Sequence, residues 1–129
     1  MRPHKRGESG VALVEFALIA PFLFLLILAV VHFGQLYQAR AQYNSAALAA
    51  ARALTLEGSS IAKAQAAAVS AGMPASLTPA ISYSGGASSC SSSAGTFPDV
   101  TVRITNPSEF SIFGVDFEVS GKAVARCMG

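Results

Sequence analysis

One carboxylate stands out among the residues able to do chemistry. Glu15 follows Gly10 by five positions and lies near the start of an apolar run that extends over 11–33. An ionised acid inside a membrane span costs a few kcal/mol on insertion scales, so it calls for a reason. One reason is its position, because an acid one turn inside the run can snorkel to the interface. Another is a cut after Gly10, which would expose a protonated α-amine on Val11. That amine and the Glu15 carboxylate are four residues apart, about one helical turn. They could pair within one chain, or the amine of one subunit could meet Glu15 of its neighbour. Two unit charges ~4 Å apart at an effective dielectric of about 20 attract by about 4 kcal/mol, the same order as the burial cost.

The other reactive residues offer less. His4 and His32 have no cysteine or acid at ligand spacing. Asp99, Glu109, Asp116 and Glu118 lie near turns or on the polar face of strands, where solvated acids are ordinary. The serines have no GxSxG elbow and no partner histidine, and no glycine loop fit to cradle phosphate occurs. Asn106-Pro107-Ser108 has proline at the forbidden sequon position. A catalytic role, a cofactor and a metal are therefore not expected. Cys90 and Cys127 are too far apart for a CxxC redox site. In an exported domain they are expected to pair as one disulfide, with two free thiols as the alternative.

The elements that would carry these residues follow from composition. Of 129 residues, 52% are hydrophobic and 12% charged, a bias concentrated in 11–33 and in the alanine-rich stretch after it. A net charge of +2 with no basic cluster interleaved with aromatics argues against nucleic-acid binding. Within 11–33 only Glu15 and His32 can ionise. As a helix that run spans about 34 Å at ~1.5 Å per residue, enough for one crossing of a ~30 Å hydrocarbon core. Arg2, Lys5 and Arg6 precede it and favour a cytoplasmic amino end. A cleaved signal peptide is the rival, but the run exceeds the usual apolar region, and the small-x-small Ala39-Arg40-Ala41 falls inside a continuing helix. Pro21 frees one carbonyl, a bend that is harmless or functional.

Over 34–57 alanine and leucine keep the helix going until Gly58. Tyr37, Asn44, Leu48, Ala51 and Leu54 fall roughly on one stripe, and Tyr37 and Tyr43 suit a membrane interface. The small alanine face invites either a second helix or the chain's own sheet. Ser59 or Ser60 is expected to cap a short helix over 61–71, closed by Gly72 and Pro74. Strands are expected at 80–84, 100–105 and from 115 to 120 or on to 127, with Asn106-Pro107 as the turn before the last. A serine- and glycine-rich loop fills the gap between Tyr83 and Phe97. The fold class is thus α+β: a long N-terminal transmembrane and assembly helix, a short helix and a small antiparallel β-sheet. Four regions result: a basic leader 1–10, a membrane helix 11–33, its external continuation 34–57 and a small α+β domain 58–129.

Gly10-Val-Ala-Leu-Val-Glu15-Phe16 behind a short basic leader resembles a type IV prepilin processing site. More narrowly, VEFAL-x-x-P-x-L-x-x-L, then Phe33-Gly34, then an alanine-rich segment with AAR, resembles the TadE-like pseudopilins of tight adherence (Tad/Flp) pilus systems. The resemblance covers about the first 55 residues well and the remainder loosely. It implies that a prepilin peptidase cuts after Gly10 on the cytoplasmic side and that Val11 becomes the first residue. Glu15, next to Phe16, would act in processing or assembly. It further implies a minor pilin or pseudopilin in a bacterial inner membrane, its C-terminal domain in the periplasm or in a surface pilus. Its partners would be other pilin and pseudopilin subunits, the inner-membrane assembly platform and the lipid bilayer. The alternative is an uncleaved single-pass anchor whose small external domain binds a partner.

Overall fold

A computed structural model describes residues 8–56, 60–91, 95–112 and 114–128, with the side chains of 8, 9, 108–110 and 112 left aside. The basic leader residues Arg2, His4, Lys5 and Arg6, the stop at Gly58, the alternative cap Ser59 and the Glu109 side chain lie outside what is described. The architecture is α+β. Helix α1 (Glu8–Leu56) is followed by helix α2 (Ile61–Ser70) and three strands, β1 (Ala80–Tyr83), β2 (Asp99–Ile112) and β3 (Val115–Arg126). Two compact units divide the chain, one ending at Gln35 and the other beginning at Leu36.

The first unit is the amino half of α1. Its helix starts at Glu8, earlier than the expected 11, and runs through Pro21 without a break. Nearly every side chain over 10–35 is exposed, and this is the helix long and apolar enough to cross a membrane.

The second unit holds the core. Ala39, Tyr43, Ala46, Ala47, Ala50, Ala51 and Leu54 are buried along α1, repeating at spacings of three and four. This differs from the expected stripe: Ala51 and Leu54 are buried, but Tyr37, Asn44 and Leu48 are exposed. Alanine occupies several sides of this segment, so composition does not mark a face. The choice is made by what packs there. The chain's own sheet covers the alanines, together with Ala64 and Ala68 of α2.

Helix α2 is preceded by Ser60 at the cap position, but its side chain makes no capping bond, so the expected serine cap is a backbone feature only. It ends as a Schellman motif: Gly72 N–H donates to Val69 O at 3.1 Å and Met73 N–H to Ala68 O at 3.0 Å. Gly72 sits at φ +108°, a conformation glycine adopts at little cost, and Met73 is buried behind it.

The sheet is antiparallel, in the order β1-β2-β3. Val100, Val102 and Ile104 of β2 are buried, while Thr101, Arg103 and Thr105 alternate outward. On β3, Val119 and Gly121 continue the inward face. The expected turn at Asn106-Pro107 is corrected: both lie inside β2, which runs on to Ile112. The register shifts there, from Asn106 opposite Val119 to Phe110 opposite Phe117. A bulge is where a strand tolerates a residue with no N–H to give the ladder. The hairpin instead closes between Ile112 and Val115, with Gly114 at φ +79°, as a tight connection requires. The serine-rich loop contains a 3₁₀ turn at Ser84–Gly86, and residues 92–94 within it are not described.

Cys90 and Cys127 form a disulfide, with Cα atoms 5.2 Å apart. Cys127 is buried, and its N–H donates to Pro98 O at 3.1 Å. The last strand is therefore tied at its end to the loop before β2.

Candidate functional site

Helical spacing gathers the residues singled out in the sequence. Gly10, Val11, Val14, Glu15 and Leu18 line one surface of α1. Positions 11 and 15 are one turn apart on that surface, and positions 14 and 18 repeat the spacing. Glu15 is exposed, in a setting of exposed apolar side chains that includes Phe16. The Gly10–Val11 peptide bond lies within the first turn of the helix, the part most prone to fray. Among the described residues, no atom lies within 4 Å of where a Cβ on Gly10 would stand, so none of them demands a glycine there.

The chemistry available on this surface is electrostatic. One carboxylate projects among aliphatic groups, about two turns from the start of the helix. Among the described residues, no three His, Cys, Asp or Glu side chains come together as a metal would need. His32 Nδ1–H donates to Leu28 O at 2.9 Å, four residues back on its own helix.

In the second unit two contacts went unanticipated. Tyr43 was expected at a membrane interface but is 2% exposed, and its hydroxyl accepts a bond of 3.2 Å from Asn106 Nδ2. The ring is drawn inward because the sheet offers both an apolar surface and a polar partner for the hydroxyl. Beside it, Lys122 N–H donates to Asn44 Oδ1 at 3.0 Å, so a helix side chain satisfies a backbone donor of the outer strand. A polar Asn106 after three apolar inward residues, Val100, Val102 and Ile104, was the available signal for the first contact. Nothing local announces the second.

Residues 10–52 match the model of a family described as TadE-like protein. No curated protein and no solved structure matches the chain. The matched segment begins at Gly10 itself and ends within α1, short of α2 and the sheet.

Proposed function

We propose, from the premise that the chain is TadE-like over residues 10–52, that it is a minor pilin or pseudopilin of a Tad-type pilus, structural rather than catalytic. A prepilin peptidase removes the leader by cutting after Gly10. The single observation carrying this reading is the family match itself, which starts at the glycine of that cut. Three features support it: Val11 and Glu15 share a surface, the helix is long enough for a membrane, and a disulfide joins the outer unit. Disulfides persist in oxidising compartments, which favours a periplasmic second unit and a cytoplasmic amino end.

Cleavage changes the electrostatics of the first turn. A new ammonium at Val11 would stand at the positive end of the helix dipole, which is unfavourable by itself. Glu15, one turn on, offsets it in the same chain or from a neighbouring subunit. The carboxylate thus gains a partner only after processing, which couples the cut to assembly with other pilin subunits and the inner-membrane platform.

Two measurements check this. The N-terminal mass of membrane-extracted protein, produced with an active cognate peptidase, is expected to place Val11 first. An intact Met1 terminus under those conditions would overturn the reading in favour of an uncleaved anchor. Gly10→Val is expected to abolish cleavage, and the open space at this position means that lost cleavage is not a folding failure. Glu15→Gln is expected to leave cleavage intact while lowering recovery with other pilus subunits by about tenfold or more, given an ion pair worth a few kcal/mol. Undiminished co-purification would remove Glu15 from assembly.

A further inference from the structure

The outward face of the sheet carries its charge in two separated blocks. Along β3 the even-numbered residues from Asp116 to Arg126 share that face, alternating with the inward Val119 and Gly121. Register sets Arg103 of β2 directly opposite Lys122. Both are exposed, and like charges directly opposite each other weaken a sheet. Among the described residues, the positions around the pair on this face bring no acid. Ala80 flanks Arg103 on its other side, Thr105 stands opposite Ser120, and Thr101 opposite Val124. Further along, Arg126 stands opposite Asp99, so those two charges offset each other.

Beyond Ser120 the sign reverses, because Glu118 and Asp116 are exposed acids at steps of two residues. Arg40 lines a cleft with Glu118 and offsets part of its charge, but Asp116 does not border that cleft. At ~3.4 Å per residue, the acids begin ~7 Å to one side of Ser120 and the cations ~7 Å to the other. Such a face is self-complementary. A second copy turned about a two-fold axis near Ser120 sets its acids over these cations and its cations over these acids, an isologous contact that closes as a dimer. The strand edge is a poorer place for a partner, since the Lys122 N–H that points there is already bonded to Asn44 Oδ1.

We propose that this face is a contact between two copies of the chain, with their β3 strands antiparallel about an axis near Ser120. Arg103 and Lys122 of each copy meet Asp116 and Glu118 of the other. The pairs are exposed, so the contact is weak and sensitive to salt. The proposal rests on neither the cleavage nor the pilus reading.

Full-length Ser120→Cys, treated with a short bis-maleimide in membranes of the producing cells, reports the axis, because the two native cysteines are bonded to each other. Ser82→Cys is the control, exposed on β1 opposite Thr101 and far from the axis. A crosslinked dimer is expected at Ser120→Cys and not at Ser82→Cys, fading as salt rises. On the Ser120→Cys background, Asp116→Lys with Glu118→Lys makes the face wholly basic at these positions. Arg103→Glu with Lys122→Glu makes it wholly acidic and leaves the backbone bond to Asn44 in place. Each pair of substitutions is expected to lower crosslinking about tenfold, the combined effect of several exposed charge pairs. Co-produced, the two variants are expected to regain the parental level, since their faces are then opposite in sign. Hydrogen-exchange protection of β2 and β3 at the parental level shows that each variant is folded. Parental crosslinking in either folded variant overturns the proposal, as does a mixture of the two that fails to recover. Loss in the Arg103/Lys122 variant alone would mean that the cations hold another anion, such as a lipid headgroup. Equal crosslinking at Ser82→Cys and Ser120→Cys would reduce the contact to random collision and overturn it as well.

Discussion

Gly121→Ala is expected to destabilise the second unit by about 3 kcal/mol or more, at or beyond the upper end of overpacking penalties. Gly121 lies opposite Ile104 on the inward face of β3, where the strand meets α1. A Cβ there would overlap the Tyr43 carbonyl group and the Asn44 nitrogen. Those atoms are helix backbone, which cannot swing aside as a long side chain can. Relief requires the sheet to lift from the helix, and that loosens the Asn106–Tyr43 and Lys122–Asn44 hydrogen bonds together. Gly114→Ala serves as the comparison, because that glycine has open space around it but a positive φ. Its cost is backbone strain alone, about 1 kcal/mol. Hydrogen exchange of the β2 and β3 amides in the detergent-solubilised full chain measures both. Equal protection losses in the two variants would show that close approach at Gly121 is not what holds sheet to helix.

Loss of the disulfide is expected to rival that effect. The bridge closes a loop with a sequence separation of 37, for which the chain-entropy relation gives about 4 kcal/mol. Small domains have only about 5–15 kcal/mol of net stability, so most of the margin would go. Cys90→Ser combined with Cys127→Ala is expected to unfold the second unit at a urea concentration well below that of the parent chain. Reductant should shift the parent by a similar amount and leave the variant unchanged. A shift under 1 kcal/mol in the double variant would mean that burial of Cys127, the Cys127–Pro98 backbone bond and the β2–β3 ladder suffice without the bridge.

These two positions differ in how far the sequence reveals them. The cysteines are the only two in the chain, so an exported domain leaves one possible intramolecular pair. Gly121 left a weaker trace, a glycine inside an alternating strand, which can signal a bulge or a close backbone approach without saying which. Asn106-Pro107 carried the opposite lesson. The pair reads locally as a turn, yet a register shift absorbed it because the β3 partner continued beyond it.

By itself the sequence determined the apolar helix, its lone acid and the Gly10-to-Glu15 spacing. Each depends on residue type over one or a few turns, and lipid compatibility is a property of composition that no distant contact has to confirm. Strand alternation at 100–105 was legible for the same reason, since period two is a local property. Only the tertiary structure decided which side of the outer helix is buried, where Tyr43 points and how far the hairpin extends. The physical reason is that alanines on several sides of 34–57 give no hydrophobic contrast. Burial there depends on how near another backbone can come, and Gly121, far along the chain, sets that distance.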